Sequence, residues 1–98
     1  MNYAKGIGLA RQNAGVSKRQ LAIRAGLTPG YITYLESGQR MPSLEVLDRI
    51  AVALEVPVAL VLLYSAESDE LKDVTPEQGE VVANTLQHLL QVVRKEVL

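Results

Sequence analysis

The chain has 98 residues, 48% hydrophobic and 21% charged, which fits one small folded domain and is too little for a roomy internal ligand pocket. It has no cysteine, which excludes a disulfide framework and a thiolate metal site, and its most apolar run, Val56 to Tyr64, falls far short of the roughly 20 residues a membrane span needs. The net charge of -1 hides a split: residues 1–40 carry six basic side chains and one acidic, residues 41–98 four basic and ten acidic, so a polyanion is the expected partner of the N-terminal half.

Helical signals recur along the chain, and sustained period-2 alternation is absent. A first helix is predicted from about Asn2 to Ala14, ended by Gly15 and weakened by Gly6 and Gly8. A second begins at Ser17, where Gln20 completes a capping box and Val16 and Leu21 hold the staple positions, and it ends at Gly26. The third repeats the entry: Thr28 caps, Pro29 takes the first helical position, Leu27 staples onto Ile32, and Gly38 supplies a left-handed C-cap. A fourth starts at Ser43 and carries Leu44, Leu47, Ile50, Ala51 and Leu54 at helical spacing until Pro57 stops it. Pro57 also opens a fifth, "PVALVLLY".

The domain is therefore expected over residues 1–66. The acidic stretch 67–74 reads as a linker, and residues 75–98 as a separate last helix opened by "TPEQ", a third cap, proline and capping-box signature. Val82, Leu86, Leu89, Val93 and Val97 fall on one stripe of that helix, flanked by Leu90, and the apolar arc covers about 200 degrees against the ~100 degrees a surface helix needs. The expected use of the surplus is packing on a second protomer to give a two-fold dimer. The alternative is cover for the apolar side of "PVALVLLY", and both can hold together.

Only Gly26 to Thr28 separates the second and third helices, so the two must cross steeply, as in a helix-turn-helix. "SKRQLAIRAGLTPGYITYLESGQRMPSLEVLDRIAVAL", Ser17 to Leu54, resembles the lambda-repressor-like, Cro-type helix-turn-helix regulators, and the likeness extends to about residue 63. The resemblance implies an all-α fold: a five-helix DNA-binding domain, here followed by a C-terminal amphipathic dimerisation helix. The third helix would enter the major groove of double-stranded DNA, and the protein would act as a homodimer on a palindromic operator.

The resemblance also implies roles by position. Arg11 falls where the family often pairs an arginine with the glutamate at Glu36. Thr28, Pro29, Gly30, Thr33 and Tyr34 fall at base-reading positions, with Gln39 the nearest amide. Ser17, Lys18, Arg19, Tyr31, Ser37, Arg40 and Ser43 fall where phosphates are held. Lys18 departs from the family's frequent glutamine, and a lysine holds a phosphate equally well. From Thr28 to Ser37 there is no Arg, Asn or Gln, so bidentate contacts to guanine or adenine are missing and specificity is expected to rest on dimer spacing and DNA shape.

His88 is the lone histidine, with no second ligand for a metal, and no phosphate loop or hydrolase motif is visible. A non-enzyme without cofactors is expected, and with no basic-then-apolar N-terminal segment the expected compartment is the cytoplasm. Two other readings remain open: an antitoxin-type module whose last helix binds a protein partner, and an adaptor that kept the fold without DNA binding.

Overall fold

The computed structural model describes residues 1–67, 70 and 75–97, with the side chains of 82, 85, 86, 89, 90 and 92–97 outside the description. All of the regular structure among the described residues is helical. Six helices follow in order: α1 (Tyr3–Asn13), α2 (Lys18–Ala25), α3 (Pro29–Glu36), α4 (Leu44–Leu54), α5 (Val58–Ser65) and α6 (Pro76–Val97). They form two compact units, Met1–Ala66 and Glu67–Leu98.

Each helix start in the first unit has a chemical reason. Asn2 accepts the Lys5 N–H at 3.0 Å, Ser17 and Gln20 form the reciprocal capping box, Thr28 accepts from Tyr31 at 3.1 Å, and Ser43 accepts from Val46 at 3.2 Å. The stops share one device. After α1, α2, α3 and α4 a left-handed residue turns the chain, and paired backbone bonds close the last turn, as in Gln39 N–H to Tyr34 O at 3.0 Å with Gly38 N–H to Leu35 O at 3.2 Å. Three of the four left-handed residues are glycines; the fourth is Glu55, at φ 59°. Helix α4 thus ends at Glu55 through Val56 N–H to Ala51 O, two residues before the Pro57 expected to stop it.

Helix α1 packs on α3, α4 and α5, and α2 packs on α3 and α4. Ile7, Leu21, Ile32, Leu35, Ile50 and Val61 meet in the centre with no exposed surface. Gly6 sits where α1 crosses the end of α5. A Cβ there would lie 2.8 Å from Ser65 Cβ and 2.9 Å from its backbone N, and would run into its Oγ. That close approach lets Asn2 N–H donate to Ser65 O at 2.7 Å, while the buried Ser65 hydroxyl donates to Val61 O at 2.8 Å. The glycine that weakens α1 locally therefore serves a helix crossing.

In the second unit, Thr75 and Gln78 form a capping box with bonds of 3.1 Å each way, and Pro76 takes the first helical position of α6. The side chains of Val82, Leu86, Leu89, Leu90, Val93 and Val97, the expected dimer stripe, lie outside the described residues, as does most of the 67–74 stretch. Among the described residues no helix is long and apolar enough to cross a membrane, and no group of His, Cys, Asp or Glu could hold a metal ion.

Candidate nucleic-acid interface

The surface of interest is the outer face of α3. Ile32 and Leu35 turn inward and are buried, and Tyr31 packs half-buried against the core. That fixes the rotation of the helix. Thr28, Pro29, Gly30, Thr33, Tyr34 and Ser37 are then exposed, with Tyr34 at 49%. Such a surface is nearly charge-free and rises little above the backbone at Gly30, where an added Cβ would meet nothing within 4 Å.

Three long-range bonds lock α3 in place. Arg11 on α1 grips Glu36, the last residue of α3, with two parallel bonds: Nε to Oε2 at 2.7 Å and Nη2 to Oε1 at 3.0 Å. Its Nη1 also donates to Val16 O at 3.0 Å, in the turn before α2. The two side chains are 13% and 9% exposed, so the pair is only weakly screened. The hydrogen bond and charge of Glu36 hold the Arg11 pKa above its ordinary value, against a smaller opposing effect of burial. Gly8 leaves room for the carboxylate: a Cβ there would sit 3.4 Å from Glu36 Oε1.

A second arginine acts from the other side. Arg49 on α4 donates through Nε to Ala25 O at 3.0 Å and through Nη2 to Gly26 O at 2.9 Å. It holds the carbonyls at the C-terminal end of α2, where a cation is favoured by the helix dipole, and so braces the turn between α2 and α3. Nothing in the local sequence marks Arg49, because its partners lie 23 and 24 residues away.

The cations expected on phosphates flank α3. Lys18 and Arg19 open α2, Arg40 lies in the loop after α3, and all are exposed. Among the described residues none of the three has a side-chain partner within the protein. The loop is pinned to the helix, since Gln39 N–H, Arg40 N–H and the Ser37 hydroxyl all donate to Tyr34 O, at 3.0, 3.2 and 3.1 Å. Gln39 and Arg40 are thereby kept beside the end of α3. The Ser37 proton is spent on this bond. Ser17, Thr28 and Ser43 use their oxygens as caps and keep the O–H free to donate to a phosphate or base.

A family profile described as a helix-turn-helix domain matches residues 7–63. The transcriptional regulator ClgR of Mycobacterium tuberculosis is 31% identical over 88 residues, covering 86% of this chain and 78% of the relative. An uncharacterised HTH-type transcriptional regulator of the same organism is 33% identical over 87 residues, covering 84% of this chain, and the chain spans only 62% of that relative's length. Among solved structures, the clp gene regulator ClgR from Corynebacterium glutamicum aligns with a TM-score of 0.65 at 31% identity, over 88% of this chain and 87% of that one. The restriction-modification controller protein C.AhdI from Aeromonas hydrophila aligns with a TM-score of 0.58 at 28% identity, over 61% of this chain and 91% of that one.

Proposed function

The chain belongs to the helix-turn-helix domain family, and from that premise we propose that it is a sequence-specific, DNA-binding transcriptional regulator acting as a homodimer in the cytoplasm. The observation that carries the reading is the outer face of α3: exposed, uncharged, low in relief at Gly30, and flanked by the partner-free cations Lys18, Arg19 and Arg40. That division of labour suits duplex DNA. The flanking cations take up phosphates and set the register, while α3 lies in the major groove and touches base edges. Thr28, Pro29, Gly30, Thr33, Tyr34 and Gln39 are the base-facing set. Ser17, Lys18, Arg19, Arg40 and Ser43 are the phosphate set, with Tyr31 and Ser37 at its edge.

Dimerisation is assigned to α6 through the apolar stripe of Val82, Leu86, Leu89, Leu90, Val93 and Val97. Its support is the width of the apolar arc and a likeness to ClgR, over 88% of this chain, that extends past the matched domain. Two α3 helices about 34 Å apart would read the half-sites of a palindrome.

The test is fluorescence anisotropy of duplex DNA from upstream of the protein's own coding region, at several salt concentrations. Specific binding that weakens steeply with salt supports the reading. Binding indifferent to sequence, or none, refutes it and moves the protein-partner role of α6 to the front.

A further inference from the structure

We infer that Gly30 forms the floor of a recess that takes the 5-methyl group of a pyrimidine, thymine or 5-methylcytosine, in the major groove. The inference rests on the DNA-binding reading of α3 and deepens it. Every other glycine described in the first unit has either a positive φ or a neighbour that a Cβ would meet; Gly30 has neither. Nothing in the fold asks for glycine at this place, and in a helix the choice weakens the protein relative to alanine. The missing Cβ is best explained by something outside the protein that comes up to the backbone there.

The surroundings define what that is. On a helix the neighbours of position 30 are Pro29, Thr33 and Tyr34, all exposed, and side chains three and four residues on lean back toward the N-terminus over it. The walls are then a proline ring, a threonine methyl and a tyrosine ring. A phosphate is a poor occupant. Pro29 has no N–H, and the Tyr31 N–H is already given to Thr28 Oγ1 at 3.1 Å, so the usual amides of a helix start are depleted. The polar edge of a purine would lose its hydrogen bonds in such a recess. A pyrimidine methyl group loses nothing and leaves water, and it is the apolar feature that the major groove offers.

The experiment begins with a duplex recovered by selection from a random pool with the full-length protein. Each thymine in it is replaced in turn by uracil, which removes only the methyl group. Affinity is measured by anisotropy for the wild type and for Gly30→Ala, whose melting temperature is expected to rise by a few degrees because the new methyl group meets nothing. At one thymine per half-site, loss of the methyl group should weaken wild-type binding about 4-fold, the value of one methyl group taken from water. Gly30→Ala should bind the unmodified duplex more weakly, and the same uracil should change its binding less than 2-fold, about a quarter of the wild-type effect in free energy. At that position 5-methylcytosine paired with guanine should bind more tightly than cytosine paired with guanine. If no thymine shows a methyl effect that depends on residue 30, the recess is refuted while DNA binding stands. If the pool enriches no sequence, the regulator reading fails with it.

Discussion

Replacing Glu36 with methionine should cost the fold about 3 kcal/mol. The side chain accepts two charge-assisted bonds from Arg11, and each such bond contributes about 1.5–3 kcal/mol. Removing one partner of a buried pair typically costs about 3–5 kcal/mol, because the other charge stays behind in a poor solvent. Arg11 retains 13% of its side-chain exposure, so it recovers some hydration and the lower end applies. For a domain of this size that corresponds to a fall in Tm of roughly 10–20 °C. Arg11→Met should cost as much, since it leaves the Glu36 carboxylate stranded and Val16 O without its donor. The double variant should be more stable than either single one, within about 1–2 kcal/mol of wild type, because two methionines of similar volume strand no charge. Urea unfolding of the full chain followed by far-ultraviolet circular dichroism measures all four corners of this cycle. A Glu36→Met cost below about 1 kcal/mol, or a double variant that loses the sum of the singles, would refute the account of how α3 is anchored.

Other substitutions test other parts of the structure by the same unfolding assay or by titration. Gly6→Ala should destabilise by about 1–3 kcal/mol despite alanine's better helix propensity, since its Cβ has no place beside Ser65. Glu55→Gly should do the opposite and gain about 1 kcal/mol, because a left-handed residue at φ 59° is strained for any side chain. Arg49→Ala should lose about 1–2 kcal/mol through the freed carbonyls of Ala25 and Gly26, and should loosen operator binding beyond that loss by releasing the turn before α3. Replacing Lys18, Arg19 and Arg40 together by alanine should leave the fold intact and reduce the slope of log affinity against log salt by about 3.

The helix starts were legible because caps are local: Ser17 with Gln20 and Thr75 with Gln78 announce themselves within four residues. The short link from Gly26 to Thr28 was legible for the same reason, and with it the steep crossing that exposes α3. What the sequence hid is what the chain brings together from far away. Gly6 reads as a weak spot in α1 until Ser65, in a different helix, arrives against it. Arg49 reads as one more surface charge until it meets two carbonyls of another helix end. The end of α4 was misplaced because proline is a strong stop signal, whereas Glu55 turns the chain earlier at a conformational cost that its own side chain does not advertise.

The central claim is that this protein binds DNA as a dimer, with one α3 on each half-site. The most direct test is the light-scattering mass of the full chain, alone and with a stoichiometric amount of its selected duplex. The account predicts a free species of twice the 10.7 kDa chain mass and a complex of one duplex with two chains. A species of 10.7 kDa whose mass is unchanged by the duplex would contradict it.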